Sequence, residues 1–113
     1  MERASGPYAA LTQRLVDAVV ATPGETSSEL RRAAVARAAK PGGPGNGLPA
    51  PLADYVDKVA LHAYQVTDGD LAALQRAGTS EDAVFEITVS AALGAALARL
   101  KRGLAALRGE ESD

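Results

Sequence analysis

Residues 80–107 read SEDAVFEITVSAALGAALARLKRGLAAL, and this stretch decides the fold. Its apolar residues recur at three and four rather than at two, which is the spacing of an α-helix. Val84, Ile87 or Thr88, Ala91, Ala95, Ala98 and Arg102 share one side. Phe85, Val89, Leu93, Leu97, Leu100, Leu104 and Leu107 lie around the other, so the helix is apolar over most of its circumference. A helix of about 27 residues spans about 40 Å, whereas a compact chain of this length measures roughly 34 Å across, from an expected radius of gyration of about 13 Å. The rod must overhang or bend. Gly94 with Ala91, Ala95 and Ala98 leaves a smooth strip where another helix backbone fits closely, while Gly103 offers an earlier stop.

Two start signals precede this helix. Thr67-Asp68-Gly69-Asp70 and Thr79-Ser80-Glu81-Asp82 each resemble a capping box with Asp in place of Glu or Gln. Between them a short helix carries Leu71 and Leu74 to Ala77, with Gly78 placed as a left-handed C-terminal cap. A further helix starts at Pro51 and turns Leu52, Val56, Val59, Ala60 and Ala63 inward. Upstream, Pro41 to Pro49 holds four glycines and three prolines in nine residues, which no regular element accommodates. This segment lacks the lysine of a phosphate-binding GxxxxGK[ST] loop and reads as a linker.

Nearer the N-terminus, Tyr8, Leu11, Leu15, Val16 and Val19 form one stripe on a helix from about Pro7 to Ala21. A second helix follows the cap candidates Thr26, Ser27 and Ser28 and runs to about Lys40. Its stripe of Leu30, Ala33, Ala34 and Ala38 is interrupted by Arg37, and such small residues predict a helix made by propensity and loosely anchored. The chain is thus expected to be one all-α domain, a small bundle of about five helices. Residues 1–40 hold the N-terminal helices, 41–50 the linker, 51–108 the core and 109–113 a disordered tail.

Of the 113 residues 47% are apolar, but 25 are alanine and only four are aromatic, so the core is thin. Burial then has to be found elsewhere, and a homo-oligomer is expected. The net charge is −2, with no basic run longer than Arg31-Arg32 and Lys101-Arg102, which excludes an electrostatic nucleic-acid footprint. Without cysteine there is no disulfide framework, thiolate nucleophile or cysteine-based zinc site, and one histidine builds no histidine-rich metal site. No cofactor is implied. No run approaches roughly 18 uninterrupted apolar residues, and residues 1–7 lack the apolar region of a secretion signal, so a cytoplasmic protein without membrane partners is expected.

Chemistry has few places to reside. His62, the one histidine and a residue type suited to general acid–base work, lies one turn beyond Lys58, which lies one turn beyond Asp54, with Tyr55 close to that face. Asp54 and Lys58 have the spacing of a helical ion pair. Two readings stay open: a site built on His62, Lys58 and Tyr55, or a solvated polar face with an incidental histidine. Glu86 and Thr88 are polar residues in apolar surroundings, and Glu86 needs a partner, with Arg99 or Lys58 as candidates. The bases Arg99, Lys101, Arg102 and Arg108, opposite the acids Glu81, Asp82 and Glu86 along the same helix, suit its macrodipole, with an anionic ligand as the alternative.

The stretch from Leu52 to Leu107 resembles the carboxymuconolactone decarboxylase and alkyl hydroperoxidase D-like family. The likeness is carried by Tyr-Val-Asp-Lys-Val-Ala-Leu-His-Ala-Tyr-Gln-Val-Thr-Asp, by Leu-Gln-Arg-Ala-Gly-Thr-Ser-Glu-Asp-Ala-Val-Phe-Glu and by the Ala-Ala-Leu-Gly-Ala-Ala-Leu run. It implies an all-helical fold, assembly into trimers or hexamers, and sites close to subunit contacts. The peroxidase branch carries Cys-x-x-Cys-x-x-x-His on the matching helix. His62 falls on the family histidine, but Tyr55 and Lys58 stand where the two redox cysteines belong, and no carboxylate lies between Glu29 and Asp54 for the proton relay. Thiol peroxidase activity is therefore not expected. What the resemblance leaves is cofactor-free proton transfer or decarboxylation on a small carboxylate or lactone, or an oligomeric scaffold that has lost the chemistry.

Overall fold

The computed structural model describes residues 7–42 and 47–109, and among these it contains five α-helices and no strand. They are α1 (Pro7–Val20), α2 (Ser28–Ala39), α3 (Ala50–His62), α4 (Asp68–Arg76) and α5 (Glu81–Leu107), with a 3-10 turn at Ala63–Gln65 after α3. The all-helical fold and the long C-terminal helix follow the sequence periodicity. Residues 1–6, part of the expected linker at 43–46 and the tail at 110–113 lie outside the described residues.

Local hydrogen bonds set the helix limits. The Ser27 hydroxyl accepts the Leu30 N–H at the start of α2. At α4, Thr67 Oγ1 accepts the Asp70 N–H at 3.2 Å while Asp70 Oδ2 accepts the Thr67 N–H at 3.0 Å, a complete capping box. α4 ends where Gly78 takes a φ of +105°, which lets its N–H reach Gln75 O and the Thr79 N–H reach Leu74 O. Because Thr79 thereby closes α4, it does not cap α5; Ser80 does, accepting the Ala83 N–H at 3.1 Å. The expected Thr-x-x-Asp signal at that boundary is thus displaced by one residue.

The expectation of a loosely anchored α2 is wrong. α2 packs more extensively on α5 than any other pair of helices packs together. Ala34 and Ala38 of α2 and Ala91, Gly94 and Ala95 of α5 are all buried. A Cβ built on Gly94 would run into the carbonyl oxygen of Val35, with the carbonyl carbon at 2.9 Å, so backbone meets backbone there. Small residues bury little area each, but they let the two helices approach until their main chains are in contact, and close contact collects many dispersion terms. The smooth strip of α5 is consequently filled by α2 of the same chain.

The rest of the core lies around this contact. Leu52, Tyr55, Val56, Val59 and Ala60 of α3, Leu74 of α4, and Val84 and Ile87 of α5 close it. α1 is attached near its C-terminal end through Val20, which is fully buried, while Tyr8, Leu11 and Leu15 of its expected inner stripe are exposed. α5 passes through Gly103 unbroken and overhangs, giving the molecule a long dimension of 47 Å against 28 and 23 Å.

Gly94→Ala should destabilise the chain by roughly 2 kcal/mol or more, because the added methyl must push two backbones apart. Gly103→Ala meets open space within the same helix and should stabilise by about 0.5–1 kcal/mol. Urea denaturation followed by circular dichroism measures both, and opposite signs are expected.

Candidate functional site

α3 carries the three residues singled out by sequence, and its inward stripe divides them. Tyr55 lies on the buried side, Lys58 at its edge, and His62 at the exposed C-terminal end. The Tyr55 and Thr88 hydroxyls are 2.6 Å apart, and the Thr88 hydroxyl donates to Val84 O at 2.7 Å. Since the Thr88 proton is committed to Val84, Tyr55 must be the donor to Thr88. Lys58 Nζ reaches Asp70 Oδ2 at 2.7 Å, not the expected Asp54. The capping box explains this: Asp70 is already held in place by the Thr67 N–H, whereas Asp54 points into solvent. Lys58, joined by the Thr67 amide, holds the Asp70 carboxyl below its ordinary value.

Tyr55 and Lys58 line one open groove with Pro51, Asp54, Asp70 and Leu74, of about 340 Å³. His62 is outside it, exposed, with its ring edge-on to that of Tyr64 at 6.3 Å between centroids. The structure therefore brings two of the three residues to one depression and leaves the histidine out. Within the groove the lysine charge is matched by Asp70 and the tyrosine proton is spent on Thr88.

A second polar cluster is buried more deeply, and sequence reasoning missed its base. Arg31 of α2 is only 3% exposed. Its Nη1 donates to Thr26 O and Thr26 Oγ1, and its Nη2 donates to Val20 O at 3.0 Å and to Thr22 O. It thereby satisfies carbonyls at the end of α1, which a helix terminus otherwise leaves orphaned. Its buried Nε has no hydrogen-bond partner among the described residues. Glu86 of α5 completes the cluster with Oε1 3.3 Å from Arg31 Nη1. The carboxylate also accepts the Thr26 hydroxyl at 2.6 Å and the backbone N–H groups of Thr26 at 2.8 Å and Glu25 at 2.7 Å. Neither Arg99 nor Lys58 is its partner. Arg99 instead donates to Ala60 O at 2.8 Å, near the end of α3.

A signal for this cluster was present in the spacing. Arg31 falls in register with Ala34 and Ala38, and Glu86 in register with Ser90 and Gly94, so each sits on the row that faces the other helix. Arg37, read as an interruption of the α2 stripe, lies on a different row and clasps Asp57 of α3 with Nε–Oδ1 at 2.8 Å and Nη2–Oδ2 at 2.7 Å. That fork lowers the Asp57 carboxyl from its ordinary value.

Among the described residues no group of three or more His, Cys, Asp or Glu side chains converges as a metal site. Comparison with protein-family models, with curated proteins and with solved structures finds no match to this chain.

The Thr26 hydroxyl, then the loop amides and Arg31, lower the Glu86 carboxyl from 4.5 to about 2, against the opposing effect of burial. A carboxyl depressed on folding stabilises the native state above its unfolded value and loses that contribution as the pH falls toward the folded value. Glu86→Gln should therefore cost about 1–3 kcal/mol at neutral pH. The difference from wild type should shrink between pH 4.5 and about 2. Urea titrations over that range measure it, and a pH-independent difference would contradict the assignment.

Proposed function

We propose that this chain is a non-catalytic helical interaction protein: a carboxymuconolactone decarboxylase-like bundle that assembles into homo-oligomers and has lost the chemistry. One observation carries this reading, the large apolar side chains that α5 leaves exposed although Val84 and Ile87 of the same helix are buried. The small residues Ala91, Gly94 and Ala95 are buried, while Phe85 and Leu107 are 68% and 85% exposed. Leu100 on the same side is 47% exposed. Large apolar side chains left together on a surface mark a place where another molecule sits.

The state of the α3 residues supports the same reading. A catalytic lysine and tyrosine need free charge and a free proton, and here both are engaged within the chain. The partners this reading favours are other copies of the chain, in trimers or hexamers as the resemblance implies, in the cytoplasm and without nucleic acid or membrane.

A second reading keeps an enzyme. Tyr55 and Lys58 share a groove wide enough for a small anion, so cofactor-free proton transfer or decarboxylation on a small carboxylate or lactone would begin there. It requires Lys58 to leave Asp70 and His62 to enter from outside.

In a turnover screen over small lactones and keto acids the wild-type chain is expected to be inactive, and light scattering at micromolar concentration is expected to give a mass above the single-chain 11.5 kDa. Turnover that disappears in both Lys58→Ala and His62→Ala would replace the first reading with the second. A lone subunit in solution would remove the observation's meaning.

A further inference from the structure

The carboxylate of Glu86 rests on donors that all belong to other elements. Oε1 accepts the Thr26 N–H at 2.8 Å, the Thr26 hydroxyl at 2.6 Å and Arg31 Nη1 at 3.3 Å, while Oε2 accepts the Glu25 N–H at 2.7 Å. The loop between α1 and α2 and the first turn of α2 supply these donors, and α5 supplies only the acceptor. The Thr26 hydroxyl itself accepts from Arg31 Nη1 at 3.0 Å, so its proton is directed at the carboxylate. Arg31 is held independently by the carbonyls of Val20 and Thr22, which keeps the guanidinium in place whether or not Glu86 is present.

Beside this cradle lies an open groove of about 270 Å³. Its apolar walls are Ala18 and Val19 of α1, Pro23 of the loop, and Phe85 and Val89 of α5, and both Arg31 and Glu86 line it as well. The Glu86 side chain is 21% exposed, so the cradle is open to solvent at this wall and not sealed behind it.

We propose that Glu25, Thr26 and Arg31 form a carboxylate-binding site that Glu86 occupies from within the chain, and that takes a small free monocarboxylate, its alkyl tail in the groove, once the Glu86 side chain is cut back. The proposal is independent of the interaction reading, since it involves neither the assembly nor the exposed residues at the end of α5.

Three observations select this class of ligand. The donors divide between two oxygens of one planar head group, with a single guanidinium charge to balance a single anion. The groove walls named above carry no charge, which favours an apolar tail over a second carboxylate. Gly24 gives the head group its room: a Cβ built there would run into Glu86 Oε2, with the carboxyl carbon at 2.8 Å. The depressed pKa of the resident carboxyl agrees with a site that holds an anion.

Glu86→Ala deletes a group of the size of acetate. The full-length variant is titrated at neutral pH with sodium acetate, propionate and butyrate, with sodium chloride keeping the ionic strength constant, and the urea midpoint is read by circular dichroism against wild type in the same salts. Comparison with wild type cancels the general effect of each salt on folding. In the wild type Glu86 is tethered at its own site, so its midpoint should be the same in all four salts apart from that general effect. The midpoint of the variant should rise toward that of the wild type, its folding equilibrium constant gaining about tenfold at roughly ten times the dissociation constant of the carboxylate. Each added methylene should tighten binding by about two- to fourfold. Adding Gly24→Ala to Glu86→Ala puts a methyl where the head group sits and should abolish the rise. If Glu86→Ala is unfolded in chloride, the same titrations read the recovery of helical signal, with the same criteria.

A variant that responds to carboxylates no more than the wild type does, or a rise that survives Gly24→Ala, would overturn the proposal. So would equal rescue by sulfate or phosphate, which would make the cradle a general anion site, and equal binding of acetate and butyrate would remove the tail from the groove. The mass of the protein in solution bears on none of these outcomes, so the interaction reading stands or falls separately.

Discussion

The contact between the α2 backbone at Val35 and the α5 backbone at Gly94 is the constraint on which the rest of the molecule depends. With no side chain at Gly94 and alanine on the neighbouring rows, the two helices approach closely, and α3 and α4 then close over the resulting ridge with the larger residues Leu52, Val56, Val59 and Leu74. An alanine-rich chain gains cohesion in this way from proximity, since it lacks the area to gain it from bulk. The consequence falls on the other side of α5. Its inner rows hold alanine and glycine beside Val84 and Ile87, and Phe85, Leu100 and Leu107 are left exposed.

Ion pairs fix the relative placement of the helices around that contact. Arg31–Glu86 joins α2 to α5 and to the loop that ends α1, Arg37–Asp57 joins α2 to α3, and Lys58–Asp70 joins α3 to α4. These are unequal in energy. Lys58–Asp70 is about a third exposed and contributes little on its own. Arg31 is almost wholly buried and accepted by the carbonyls of Val20, Thr22 and Thr26 as well as by Glu86, so its removal would leave a carboxylate and several carbonyls short of donors. Together with the buried Val20, this guanidinium holds the end of α1 to the bundle.

The same pairing bears on function. Polar groups on α3 and α5 join helices: the Tyr55 hydroxyl to Thr88, the Lys58 ammonium to Asp70 and the Arg99 guanidinium to an α3 carbonyl. Beside the Arg31 Nε, unpartnered among the described residues, the fold leaves apolar surface exposed along α5 and α1. Phe85, Leu100 and Leu107 of α5 and Tyr8, Leu11 and Leu15 of α1 are among the large apolar side chains left exposed there.

Most of the secondary structure was legible in the amino-acid order, because caps, glycine stops and three-four periodicity act within a few residues of one another. Thr67 with Asp70, Gly78, and the run from Val84 to Leu107 announce themselves in this way. The candidate site was legible only as three residues spread over two turns of α3, and its grouping there did not survive, since which side of a helix is buried depends on elements far away in the chain. The pairing of Arg31 with Glu86 joins residues 55 apart, and the choice of α2 as the occupant of the Gly94 strip was likewise open. A smooth row accepts any smooth partner, and only the three-dimensional arrangement, by the closeness of two backbones, decided that the small side of α5 turns inward and the large side out.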